Sequence, residues 1–398
     1  MNIHRRHFLS LASVAPLMNL PWATALGANT VAAIQSSTLL VMVYLKGGND
    51  AYNTFVPLDN ARYRKMRPSL AIARDQLIPF SATHGFNPAL KSLLPLWENK
   101  EMALLQGIGQ QEITNQHFRD LETQFTAASP GQYYDDGWLT RALRANAGNS
   151  RLGSSVLDAV AFGVLDIRES DPMGPFRGNK IRVINMQHPS EWLIGQKVVG
   201  TQHLESTPAR TLVDTYVQPH RVSLKTAFPA NEFGDALRAT AELAAAGIAP
   251  PVVHITLTAT DDDQHHAFDT HWDQRKYHGP ALTRLAEGLA AFRGAMVEIG
   301  QWNNTLLATY DEFGRCPKEN EKQGTHHGWG STHVVLGGKV KGGLFGQANP
   351  VIDVFAIDGP PPVIDYRELY TTIIEQWWHG SARGVFDRSF KTLDLLRT

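Results

Sequence analysis

The residues of this sequence best suited to chemistry are its histidines and acids, and they come in groups. Thr260-Asp261-Asp262-Asp263-Gln264-His265-His266 is followed by Phe268-Asp269-Thr270-His271, which puts four acids and three histidines within eleven residues. Carboxylate oxygen and imidazole nitrogen are donors that divalent cations take from proteins. Asp269 and His271 stand two apart, so on an extended segment both point to one side and can share an ion. Gly324-Thr325-His326-His327-Gly328 sets a histidine pair between glycines, with His327 a further candidate ligand. Tyr310-Asp311-Glu312-Phe313-Gly314-Arg315 offers Glu312 as an oxygen ligand and Arg315 as a clamp for an anionic oxygen. Gly47-Gly48-Asn49-Asp50 offers Asp50 beside glycines that let the backbone approach a ligand closely. His117 opens a predicted helix, where free N–H groups favour anions; it can act as base, ligand or cap neighbour.

Each group also has a plainer reading. Asn49-Asp50 can cap a helix, residues 260–271 can be a solvated loop, and Glu312 can pair with Arg315. Histidine is also common at surfaces. What favours a site is where the groups fall. Thr38–Leu45, Met102–Gly107, Ile181–Ile184, Val252–Thr258, Thr305–Tyr310 and His333–Leu336 are apolar runs of the kind that form strands buried on both faces. Helical patterns over 89–99, 118–128, 232–246 and 279–300 lie between them. Alternating strands and helices predict an α/β fold, a mostly parallel central sheet flanked by helices in three layers. In such sheets, sites form beyond the carboxyl ends of the strands, and the polar groups sit there repeatedly. Residues 129–231 are richer in Pro, Gly and polar residues and read as an irregular insertion or cap. Asp358-Gly359-Pro360-Pro361-Pro362 reads as a rigid connector.

Composition excludes several functions. The chain has 398 residues, 43% of them hydrophobic and 19% charged, so it can build a large core. Lys+Arg number 37 and Asp+Glu 38, for a net charge of −1; no nucleic-acid surface is expected. The single cysteine, Cys316, excludes an intrachain disulfide and a Cys-rich metal site. Arg5-Arg6 followed by Phe8-Leu9 and an interrupted apolar stretch to Leu26 reads as a twin-arginine (Tat) export signal over residues 1–33. The mature chain, 34–398, is then periplasmic or secreted, has no permanent membrane span, and meets the Tat translocase during export.

The set GGND (47–50), RPSLAI (67–72), HF (117–118), GWL (137–139), FDTHWDQ (268–274), EFGR (312–315), HG (327–328) and VLGGKVKGG (335–343) resembles the DUF1501 family of exported bacterial proteins. That family is similar in turn to the alkaline phosphatase-like and sulfatase-like superfamily. The resemblance implies an alkaline phosphatase-like fold. It implies one metal held by Asp269, His271 and His327, and a second held by Asp50 and Glu312, with Phe313 where an imidazole ligand usually stands. His326 and Asp311 also depart from the family pattern, and no nucleophile is singled out, Thr114 being nearest.

The function expected is metal-dependent hydrolysis of a phosphate or sulfate ester. Asp50, Asp269, His271, Glu312 and His327 would bind divalent ions (Zn, Mn, Mg or Ca), and His117 and Arg315 would do catalytic work. The alternative is an exported metal- or ligand-binding or accessory protein that keeps the fold without hydrolysis. A single-iron oxidation site built on two histidines and a carboxylate is a further reading of the same donors.

Overall fold

The computed structural model describes residues 38–153, 155, 157–163, 173–186, 188–190, 201–202, 222–257, 268–352 and 361–397. The twin-arginine segment, the run Thr260–His266 and Asp358–Pro360 lie outside the described residues.

The chain forms β1 (Leu39–Leu45), β2 (Phe55–Pro57), β3 (Ile78–Pro79), β4 (His84–Phe86), β5 (Met102–Gly109), β6 (Ala159–Phe162), β7 (Val183–Met186) and β8 (Thr201–Gln202). It continues with β9 (Val252–Leu257), β10 (Thr305–Tyr310), β11 (Arg315–Glu319), β12 (Thr325–His327), β13 (Ser331–Leu336), β14 (Gly343–Gly346) and β15 (Ile364–Asp365). Among the described residues the central sheet has ten strands in the order β14-β5-β13-β10-β1-β9-β6-β7-β8, with β15 beside β5. β1 pairs in parallel with β10 and β9, and β9, β6 and β7 continue in parallel. β13 runs antiparallel to β10 and β5, and β8 antiparallel to β7. The sheet is therefore mixed but mostly parallel, as its apolar strands predict.

β1 shows why. All seven residues are buried. Leu39, Val41, Val43 and Leu45 pack into one core layer, under the helices Glu232–Ala245 and Gln274–Glu298. Leu40, Met42 and Tyr44 pack into the other, with helices Trp138–Ala145 and Tyr366–Thr372. A strand covered on both faces needs no polar alternation, and the result is three layers.

Within residues 129–231, expected as an insertion or cap, the described strands belong to the central sheet. Their β6 and β7 extend the central sheet, because Ala159–Phe162 and Val183–Met186 are apolar and fully buried. Two small sheets, β2-β4-β3 and β11-β12, sit beyond it. Among the described residues no helix is long and apolar enough to cross a membrane.

Candidate metal centre

The carboxyl ends of β5, β9 and β10 and the amino end of antiparallel β13 share one rim of the sheet. Four side chains meet there: His117, Asp269, His271 and His327, each offering a donor atom within 4.8 Å of the others. His117 is the first residue of helix His117–Thr126, after β5. Asp269 and His271 follow β9. His327 lies on β12, just before β13. Alternation on β12 turns Thr325 and His327 inward and leaves His326 exposed, its ring 5.9 Å from that of His271.

Asp269 Oδ1 is the hub. It lies 3.0 Å from His271 Nε2, 3.4 Å from His117 Nε2 and 3.7 Å from His327 Nε2. His271 Nε2 and His327 Nε2 are 2.8 Å apart. In a coordination sphere with bonds of about 2.1 Å, neighbouring donors stand roughly 3.0 to 3.4 Å apart, so the four are spaced as ligands of one ion are. Two contacts orient the rings. His117 Nδ1 donates to Glu312 Oε1 at 2.8 Å. His327 Nδ1 donates to the Asn115 carbonyl at 2.9 Å. Each turns the Nε2 lone pair inward, the arrangement that metal-ligating histidines take from outer-sphere partners. His117 Nε2 is buried and makes no hydrogen bond, an orphan that a cation would satisfy.

Charge reinforces the geometry. Burial works against the Asp269 carboxylate, but His117, His271, His327 and Arg315 more than offset it and hold its pKa far below the usual range. Burial would also lower His117, yet Asp269 and Glu312 prevail and raise it to about 9. His327, for which burial dominates, falls to about 4. Phe313 packs beneath, its ring 4.2 Å from that of His327 and 4.8 Å from that of His117. The side chains of the four remain 13 to 28% exposed, so the cluster opens to solvent on one side.

The other expected residues take different places. Glu312 is fully buried and receives the Gly47 N–H as well as His117; it orients the His117 ring and is not one of the four clustered side chains. Arg315 was expected to grip an anion. Its guanidinium instead donates to Asp269 Oδ1 at 2.5 Å and to the carbonyls of Gly47, Gly48 and Thr325, so it fixes Asp269 against the loop after β1. Asp50 was expected as a ligand of a second ion. It accepts from Arg67 at 2.5 and 3.0 Å, from Gln274 Nε2 at 2.5 Å and from Tyr52 N at 3.1 Å. Its side chain and that of Arg67 are fully buried. Burial alone would raise the Asp50 carboxyl, but Arg67 holds it below its ordinary value. It pairs with a cation already in the chain and caps helix Ala51–Thr54.

Three further residues matter that no chemical motif marked. Arg67 opens the RPSLAI run, and Gln274 closes FDTHWDQ. Gln274 Oε1 accepts from Thr270 and Thr325 while its Nε2 donates to Asp50, so one carboxamide ties the segments bearing Asp269, His271 and His327 to the Asp50 pair. Asn115 sits at φ 60°, a backbone state that asparagine tolerates, and so turns its carbonyl toward His327. Gly47, at φ 108°, leaves no room for a side chain: a Cβ there would meet the Asp269 nitrogen at 2.3 Å.

Residues 225–377 match DUF1501, described as a protein of unknown function. This stretch is a DUF1501 region. It holds Asp269, His271, Glu312, Arg315 and His327, while the DUF1501 match leaves out Asp50 and His117. No curated protein matches the chain. It is similar to the solved lipoteichoic acid synthase LtaP from Listeria monocytogenes at 11% identity, over 89% of this chain and 78% of that one, with a TM-score of 0.44. It is similar to the PsFucS1 sulfatase from Pseudoalteromonas sp. at 9% identity, over 94% and 75%, with a TM-score of 0.41. A third is the phosphonate monoester hydrolase SpPMH from Silicibacter pomeroyi, at 11% identity over 87% and 74%, with a TM-score of 0.38. Likeness at this level decides neither substrate nor mechanism.

Proposed function

We propose that this chain is an exported, metal-dependent hydrolase of a phosphate or sulfate ester, with one divalent ion held by His117, Asp269, His271 and His327. The observation that carries the reading is the convergence of three imidazole Nε2 atoms and one carboxylate oxygen, with two of the rings already oriented from behind. Three nitrogens and one oxygen suit zinc or manganese better than magnesium or calcium, which prefer oxygen alone. A bound ion supplies Lewis-acid polarisation of an ester oxygen. The chain's own part is to hold the donors rigid: Arg315 fixes Asp269, Glu312 fixes His117, and the Asn115 carbonyl fixes His327. Phe313 keeps the floor of the site dry. The twin-arginine segment supports passage through the Tat translocase to the periplasm or beyond.

The test is elemental analysis of the purified chain together with a panel of p-nitrophenyl phosphate, bis(p-nitrophenyl) phosphate, p-nitrophenyl sulfate and phenylphosphonate esters. About one metal per chain and turnover of at least one ester, both lost in Asp269→Ala, are expected. A chain that takes up no metal sinks the proposal. Metal without turnover moves the protein to the second reading, a non-hydrolytic metal- or ligand-binding protein. One observation favours that reading: among the described residues no serine or threonine hydroxyl bonds to the four side chains, and the hydroxyl of Thr114 is taken by Asp120.

A further inference from the structure

A cavity of about 620 Å³ opens between the central sheet and the small sheet β2-β4-β3, away from the four metal-site side chains, none of which lines it. Its size is that of a small-molecule site. Its floor is made by Gln106 on β5 and Thr332 on β13, paired across the two strands. These are 6% and 4% exposed, yet neither side chain hydrogen-bonds to any other described residue. Leu104 and Val334, the neighbours two positions away on the same face, are core residues. A strand that turns from Leu to Gln, opposite one that turns from Val to Thr, places a carboxamide and a hydroxyl where packing alone would place hydrocarbon. Both residues line the void, so their polar groups are reached through it and are open to hydrogen-bonding groups of a ligand.

The walls say which kind. Asn60 and Asn349 add two further carboxamides, each with one polar atom already engaged by Tyr63 N or the Gly330 carbonyl, and Phe55 adds an apolar surface. Among the described residues no lysine or arginine lines the cavity, and Arg62, which lies beside it, donates to the Val351 carbonyl. Its one acid, Asp59, is 65% exposed and paired with Arg74. Burial draws the His84 imidazole below its ordinary range, so at neutral pH it adds no charge. No described lining residue carries a positive charge to compensate a phosphate, sulfate or carboxylate. Carboxamides and hydroxyls donate and accept side by side, which matches adjacent hydroxyl groups on a ring.

We propose that this cavity binds an uncharged polyhydroxylated ligand of one or two sugar rings, with Gln106 and Thr332 as its anchoring pair. The inference is independent of the metal centre. It is tested by isothermal titration of the full chain with glucose, N-acetylglucosamine, maltose and cellobiose, and with glucose 6-phosphate as the charged contrast. At least one neutral sugar should bind. Its affinity should fall tenfold or more in Gln106→Leu and in Thr332→Val, and glucose 6-phosphate should bind no better than glucose. Metal content, measured on the same samples, should be unchanged in both variants, so that failure here is separable from failure of the metal site. Melting temperature without sugar should not fall in Gln106→Leu, because the carboxamide contacts no other side chain through a hydrogen bond. The proposal is overturned if no neutral sugar binds, if binding survives both substitutions, if Gln106→Leu unfolds the chain, or if a crystal structure shows the chain's own residues filling the cavity.

Discussion

Asp50 and Asp269 both follow strands of the central sheet at the same rim, and both meet an arginine. Around Asp50 the arginine is a full bidentate partner, the pair is sealed from solvent, and among the described residues no imidazole nitrogen reaches the carboxylate in a hydrogen bond. Around Asp269 the arginine contributes one contact, three histidine nitrogens take the rest of the approach, and a quarter of the side chain stays open. The first carboxylate is neutralised within the fold. The second is left underfilled in the direction of solvent. An acid at a strand end is thus a site only when the chain does not satisfy it, and the partners, not the position, decide.

Substitutions can pull these two carboxylates apart. The largest effect falls on Asp269→Asn: the metal content of the purified chain should drop to background while the fold, followed by circular dichroism, persists. Retention of metal would show that the imidazoles need no hub. Next comes Asp50→Asn, which leaves Arg67 buried and uncompensated; stability to urea should fall by about 3–5 kcal/mol, with the metal stoichiometry of the folded fraction unchanged. Loss of metal in proportion to Asp50 rather than to folding would erase the distinction between the two carboxylates. A smaller effect is expected for Glu312→Gln, which weakens the contact behind His117 without removing a ligand. Metal affinity should fall by roughly 10- to 100-fold, read by competition with a chelator, and an unchanged affinity would mean that His117 is oriented by packing alone. Smallest is the response to acid. The Asp50 carboxyl is held below its ordinary value, so its contribution to stability is fully present above the unfolded pKa near 3.9 and is lost as pH falls through the lower folded value. Urea titrations should show that loss setting in below about pH 5 and continuing toward pH 2 in the wild type, and a flatter curve in Asp50→Asn.

Much of the fold was legible because its strands are buried on both faces and therefore read as apolar runs. Thr305–Tyr310 coincides with its predicted span, and Thr38–Leu45 with β1 but for one residue. Ala159–Phe162 was missed since four small and apolar residues inside a polar stretch carry no periodicity of their own. At the site, residue type pointed to Asp269, His271 and His327, and the structure adds His117 to them. It could not show that Glu312 stands behind His117 or that Arg315 faces carbonyls, since both depend on which atoms lie nearby in the fold. Nor could it show that Asp50 is neutralised, because its partner Arg67 is 17 positions away and looks like any other arginine.

Two of the anchors that set this site belong to the main chain: the Asn115 carbonyl behind His327 and the Gly47 amide on Glu312. Alignment written into the path of the polypeptide survives most changes of side chain. Replacement of Asn115 by glycine would keep both the turn and the contact. The orientation of the site is therefore buffered against drift in the loops around it, and those loops are free to diversify toward new ligands while the donors stay in place.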